Sequence, residues 1–349
     1  MITVLVTGVG GGGVGRQVIK SLRKGIESYR IVGTDITPIS MGLYEVDKSY
    51  IVPSAKDIEY VNTLLDICTK EEATVLVPGS EPELQVISKN REAFIRQGII
   101  PLINTEECIS ICMDKWKTYG FLKDNGFKVP RAILAKDYTP TIPIDMLPVI
   151  IKPTTASGGS LNVYLAQDIE EVLFFAQYLR KQGLTTVIQQ YVGSYDEEYT
   201  VGVLTDLKDG ELIGSIAVKR QILSGLSNRT RMLTRDTETK PKLLVISSGI
   251  SQGEVGEFPE VRRECERIAL RLGSKGPLNL QCRRDGDNVF VFEINPRFSG
   301  TTYVRALVGH NEPDILIRRS LLGEKGIEVE YKKGIVVRGL EERYIASKD

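Results

Sequence analysis

Residues 276–302 read GPLNLQCRRDGDNVFVFEINPRFSGTT. Two short apolar-rich runs, Pro277–Arg283 and Val289–Ile294, flank the turn-forming residues Asp285-Gly286-Asp287-Asn288, so the stretch predicts a β-hairpin. Glu293 and Asn295 stand two apart and share one strand face. Gln281, on the other strand, joins them in only one register. A two-residue loop sets Gln281 opposite Phe292, on the wrong face. A three-residue loop, Gly286-Asp287-Asn288, sets it opposite Glu293. The expected loop is therefore odd in length. One carboxylate and two side-chain amides on one face make an all-oxygen set. It suits a hard cation such as Mg²⁺ or Mn²⁺, with phosphates and water completing the shell. A hairpin whose polar side chains only face water is the alternative at this point.

The 349 residues suggest about two domains. Hydrophobic content of 42% is enough for a sizeable core. Lys+Arg and Asp+Glu number 45 each, which argues against nucleic acid or an anionic membrane as a partner. No apolar run approaches the ~20 residues of a spanning helix, and Met1–Val4 enters a strand pattern with no basic leader. The five cysteines lack metal spacing, and Cys108 and Cys112 read as buried thiols, so a reducing cytoplasm is expected. One histidine, His310, argues against a His-based triad and points to carboxylates, cations and metal.

Upstream, Ile2–Thr7 reads as a buried strand, Gly8–Gly15 as a glycine loop, Arg16–Lys24 as a helix, and Tyr29–Thr34 as a strand ending at Asp35. That is the dinucleotide fingerprint in strand–loop–helix context, with an acid about 20 residues on. It leaves three readings open: an NAD site, a tightly packed loop, or the wall of a substrate cleft. Alternation continues through Ile58–Lys70, Thr74–Val77, Leu84–Gln97 and Ile99–Leu102, predicting a parallel sheet with helices on both faces. Glu81 and Glu83 follow a strand end and are candidate substrate contacts. Thr105 caps an expected helical stretch that carries Asp114-Lys115 and ends at Asn125-Gly126. Val149–Lys152 reads as a strand, and Pro153–Ser160 as a small-residue loop able to approach phosphate closely, though not a Walker A motif. Asp168 starts a helix to Lys181, and Thr186–Gln190 and Glu197–Val203 read as strands. Lys219–Arg231 is expected to be a flexible basic loop, with Lys219 best placed near a phosphate.

Taken in order, Asp114-Lys115, Ile151-Lys152-Pro153 with its Gly/Ser loop, Glu198-Tyr199-Thr200-Val201, Asn279-Leu280-Gln281 and Glu293-Ile294-Asn295-Pro296-Arg297 resemble the ATP-grasp superfamily. The branch it resembles most holds the carbamoyl-phosphate synthase large chain and similar amino-acid ligases. The resemblance implies an α/β and α+β chain. A Rossmann-like substrate domain (pre-ATP-grasp) would span 1–105, a first ATP-grasp lobe 106–185, and a second lobe with the Mg-ATP floor 186–349. It implies ATP phosphates held by Lys115 and Lys152 under a lid that includes Ser157, Gly158 and Gly159. Gln189, Gln190, Tyr191 and Val192 would read adenine, and Glu198 the ribose. Gln281, Glu293 and Asn295 would hold Mg²⁺, and Arg297 would face the transferring phosphoryl group; Lys219, from its place at a strand end, is the second catalytic candidate. Gln189-Gln190 and the two lysines depart from the acids and arginines of the synthase.

The expected activity is an ATP-dependent ligase that joins a small-molecule carboxylate to an amine through an acyl phosphate. The sequence leaves the oligomeric state open; a homodimer is common in the family it resembles. A carbamoyl-phosphate-synthase-like unit acting on bicarbonate or carbamate, and a nucleotide-binding module without turnover, are the alternatives.

Overall fold

The computed structural model describes residues 1–10, 13–136, 140–155, 160–235, 241–327 and 330–343. The first sheet is parallel. Its spatial order is Lys48–Ile51, Tyr29–Asp35, Ile2–Val6, Val75–Val77, Ile100–Pro101. Along Ile2–Val6, Val4 and Val6 enter one buried cluster and Leu5 enters another. A two-residue repeat thus buries both faces, the pattern of a parallel sheet under helices. The cluster around Val4 and Val6 also holds Leu204, Phe298 and Leu316, so later chain covers that face.

A four-stranded sheet follows, ordered Ala132–Ala135, Thr186–Gln190, Val149–Pro153, Tyr164–Ala166. The helix Ile169–Lys181 packs on it through Val172 and Leu179. Asp168 caps that helix by accepting from Glu171 N at 2.8 Å, as predicted. Thr105 likewise accepts from Cys108 N at 3.2 Å. The single helical stretch expected after Thr105 is two helices, Glu106–Cys112 and Lys115–Asp124. Asp114 breaks them by accepting from Trp116 N and Lys117 N, so it is the N-cap of the second helix. Leu84–Gln97 is likewise divided, into Glu81–Lys89 and Arg91–Arg96 around Asn90.

The largest sheet has six strands: Asn288–Asn295, Pro277–Asp285, Glu198–Thr205, Leu212–Arg220, Gly253–Gly256 and Gly334–Val336. Helix Pro259–Arg271 covers one face through Val261, Cys265 and Ile268. The basic loop expected after Lys219 contains a strand instead. Asn228–Leu233 pairs with Leu243–Ser247 in a separate hairpin. Beyond Val336 the chain returns to the first domain, where Glu341 meets Arg16 at 2.5 Å and Lys20 at 2.9 Å. All five cysteines are buried free thiols, Cys108 and Cys112 as expected. Among the described residues no helix is long and apolar enough to cross a membrane.

Candidate active site

Gln281 pairs with Glu293, as the metal reading required, but the loop is not odd in length. Asp285 pairs with Asn288, leaving a two-residue turn, Gly286-Asp287. Register from the turn runs unbroken to Cys282–Val291, then slips. Phe292 is the extra residue of a β-bulge, which moves the partner of Gln281 from Phe292 to Glu293. The bulge has a second effect. The Phe292 carbonyl accepts from Lys152 Nζ at 3.1 Å.

A cleft of about 630 Å³ lies between the four-stranded and six-stranded sheets, lined by Lys115, Lys152, Gln189, Gln190, Tyr191, Val192, Glu198, Gln281 and Glu293 among others. The structure brings these predicted residues together. Lys115 begins its helix, and its backbone N–H donates to Thr154 O at 2.8 Å, which ties that helix to the lysine strand. Lys152 is buried and donates to Gln189 Oε1 at 2.8 Å. Burial first, then the Lys115 charge, lower its pKa to about 7, against an opposing pull from Glu293. Tyr191 is fixed by its hydroxyl, which accepts from Val245 N at 3.0 Å, and by Arg283, 4.2 Å from its ring centre. Ser157, Gly158 and Gly159 lie outside the described residues. Ser160, just after them, lines the cleft and donates to Ser247 O at 2.8 Å.

Two predicted roles change. Glu198 is fully buried, with both oxygens held by arginines. Oε1 accepts from Arg220 at 2.6 Å, and Oε2 from Arg283 Nε and Nη2 at 2.9 and 2.8 Å. These cations hold its pKa down against burial, the largest opposing influence. Its carboxylate anchors two guanidinium groups and is not a free acceptor for a ribose. Lys219 is absent from the residues lining either cleft. Strand alternation turns it to the far face, where it pairs with Glu197. Arg220, the next residue, lines the second cleft. The signal was available: Lys219 and Arg220 cannot share a face, but both ends of the strand were needed to choose between them.

That second cleft, about 1320 Å³, lies beside the first and shares Ser160, Gln281 and Glu293 with it. Asn295, Arg297, Arg220, Arg229, Gly13 and Val14 also line it. Arg297 Nη2 donates to Glu81 Oε1 at 2.6 Å and to Asn295 Oδ1 at 3.2 Å. Glu81 therefore holds a cation across the domain boundary. Glu83 is buried, accepting from Tyr60 Oη at 3.0 Å and Ser80 Oγ at 2.7 Å, and burial raises its pKa. Asp35 is used by its own loop: Gly10 N donates at 2.6 Å and Ile36 N at 2.8 Å. Of the three readings of the glycine loop, the one that makes it a cleft wall matches the position of Gly13 and Val14.

The fit to a metal rests on donor chemistry. Glu293 Oε1 accepts from Asn295 Nδ2 at 3.1 Å, and its other oxygen takes no donor among the described residues. Gln281 Oε1 has only a long contact, 3.5 Å, with Arg220. Among the described residues no cluster of three or more His, Cys, Asp or Glu could hold a metal. An ion here relies on one carboxylate, amide oxygens and nucleotide phosphates, which is the manner of Mg²⁺.

Two family models match the chain. One, described as PylC-like, N-terminal domain, covers residues 4–103. The other, described as ATP-grasp in the biosynthetic pathway with Ter operon, covers residues 185–343. The carbamoyl phosphate synthase large chain of Thermoplasma volcanium is 26% identical over 295 residues, 81% of this chain and 26% of that protein. Its counterpart in Clostridium botulinum is 22% identical over 91% of this chain and 28% of that protein. The chain thus spans about a quarter of the length of these curated relatives. Among solved structures, the ADP complex of N5-carboxyaminoimidazole ribonucleotide synthetase has a TM-score of 0.64 at 15% identity, covering 91% of this chain and 76% of that one. An L-amino acid ligase from Bacillus licheniformis gives 0.63 at 14% identity, covering 92% and 74%. D-alanine–D-alanine ligase from Bacillus anthracis complexed with ATP gives 0.59 at 16%, covering 92% and 97%.

Proposed function

We propose, from the premise that this chain has the ATP-grasp fold behind a PylC-like N-terminal domain, that it is an ATP-dependent carboxylate–amine ligase. One observation carries the reading: two clefts meet at Gln281 and Glu293. The first suits the nucleotide, the second a carboxylate acceptor beside Arg297. A substrate carboxylate oxygen attacks the γ-phosphorus, the bond to ADP breaks, and an acyl phosphate forms. An amine nitrogen then attacks the acyl carbon, phosphate leaves, and the nitrogen gives up a proton. Lys115 and Lys152 offset charge on the phosphates, and Arg297 offsets it on the acceptor side. Gln281, Glu293 and Asn295 would hold Mg²⁺, which neutralises phosphate charge when bound. No protein nucleophile is needed, since the work is positioning and charge stabilisation.

The names of the structural neighbours, which include ligases of amino acids, support the amine as acceptor. The carbamoyl phosphate synthase relatives favour a second reading, with bicarbonate as the activated carboxylate. A homodimer in the cytoplasm is part of the proposal. The test is ADP release with pooled amino acids, with hydroxylamine present to trap acyl phosphate as hydroxamate. Hydroxamate in some pools is the expected result. ATP hydrolysis stimulated by bicarbonate alone would favour the second reading. No ADP release across a broad panel of carboxylates and amines would overturn both.

A further inference from the structure

Asn279 stands on the strand face that Gln281, Glu293 and Asn295 use. It lies two residues before Gln281, pairs directly with Asn295 and lines the second cleft. By position alone it is a fourth oxygen ligand for the metal. Its hydrogen bonds assign it the opposite polarity. Asn279 Oδ1 accepts from Thr200 Oγ1 at 2.8 Å and from Arg305 Nη2. A guanidinium only donates, so the carboxamide oxygen is the atom turned toward it. The amide nitrogen is left for the cleft. It makes no hydrogen bond among the described residues, and it is not one of the unpartnered atoms sealed from solvent, as Arg305 Nε is. The rest of the side chain is enclosed, since Asn279 is only 4% exposed. Behind it lies a buried ion pair. Arg305 and Glu312 are 1% and 2% exposed, and Arg305 Nη1 donates to both carboxylate oxygens at 2.9 and 3.1 Å. Gly202, the cross-strand partner of Asn279, makes the room: any side chain there would collide with both charged groups. A pair this deep does little for stability that apolar residues could not do, so its use is sought in what it orients. Neither member lines either cleft, and Arg305 reaches the second one through Asn279.

We propose that Arg305, held by Glu312, is a positioning residue that locks Asn279 with its N–H groups toward the second cleft, so that Asn279 donates to an anionic oxygen on the acceptor side and does not ligate the metal. The inference rests on the reading that the phosphoryl acceptor lies in that cleft. Two probes test it on the full chain: Mn²⁺-ADP, followed through the free-Mn²⁺ resonance signal, and inorganic phosphate added to the Mn²⁺-ADP complex, as a stand-in for the transferred group. Asn279→Ala should leave Mn²⁺-ADP affinity unchanged and weaken phosphate roughly tenfold or more, the worth of a hydrogen bond to an anion. A fall in Mn²⁺-ADP affinity would make Asn279 a metal ligand, and unchanged phosphate affinity would leave it no role; either overturns the inference. Arg305→Met with Glu312→Gln, which strands no buried charge, should reproduce the phosphate loss. Arg305→Lys keeps a donor for Asn279 Oδ1 and should recover part of it. A merely structural pair would lower the melting temperature and leave phosphate affinity as it was, which overturns the positioning role; Asn279→Ala and Arg305→Lys decide the matter if the double variant does not fold. Hydroxamate trapping separates the two ideas. Phosphate loss in Asn279→Ala, with no hydroxamate from any wild-type pool, keeps this inference and sinks the ligase. Equal hydroxamate from wild type and Asn279→Ala does the reverse.

Discussion

Lys152 should make nucleotide binding depend on pH. Its ammonium is buried, and among the described residues its hydrogen-bond acceptors are neutral, Gln189 Oε1 and the Phe292 carbonyl. Burial and Lys115 bring its pKa to about 7. In the free protein the group is thus half neutral near pH 7. Nucleotide phosphates favour the cation and lift that value, so binding takes up a proton. Affinity must then fall as pH rises through 7, by up to one decade per unit for one proton. From pH 7 to pH 9 the loss of Mg-ADP affinity comes to roughly 50-fold. Phosphate itself is already ionised over most of this range. Calorimetry in buffers of different ionisation heat reads both the affinity and the proton taken up. Lys152→Gln should bind weakly and with a flat profile. No proton uptake in the wild type, or the same slope in Lys152→Gln, would refute the reasoning.

Four other outcomes are expected. Glu198→Gln leaves Arg220 and Arg283 buried without their shared charge, and denaturant titration should lose about 3–5 kcal/mol; a loss confined to nucleotide affinity would restore the ribose role. Lys219→Ala should cost at most about 1 kcal/mol, because its pair with Glu197 is part-exposed, and should leave nucleotide affinity unchanged. Arg220→Ala, by contrast, should lose both stability and acceptor binding. His310 is buried with neither ring nitrogen partnered, and burial lowers its pKa to about 3. The unfolded chain binds a proton there below about pH 6.5 and the folded chain does not, so stability falls as pH drops from 6.5 toward 3. The slope is at most about 1.4 kcal/mol per unit, and His310→Leu should remove it from acid unfolding curves.

The sequence was a good guide where a local rule settles the matter. Caps at Thr105 and Asp168 and the alternating first domain follow from neighbouring residues, whereas Gln281 meets Glu293 through a bulge at Phe292 and not through the odd loop expected. It was a poor guide where a long-range partner decides. Glu198 looked like a ligand because its two arginines are 22 and 85 residues away. Lys219 looked catalytic because a basic run does not reveal which face each member takes. Arg229 was hidden in a segment read as a loop, though its strand pairs with Leu243–Ser247. Glu81 gained its role only when folding placed Arg297 beside it.

The bulge at Phe292 separates the hairpin into two halves that are out of phase by one residue. The turn half obeys ordinary two-residue hairpin pairing, and the site half counts from the slip. Changes at Gly286-Asp287 that keep the strands in step, including a new chain opening or an inserted reporter, are therefore insulated from Gln281, Glu293 and Asn295. A single residue lost between Val291 and Glu293 is not. It would restore plain pairing, leave Glu293 opposite Gln281, and withdraw the carbonyl that meets Lys152. One residue thus works as a clutch between a replaceable tip and the half of the hairpin that lines the two clefts.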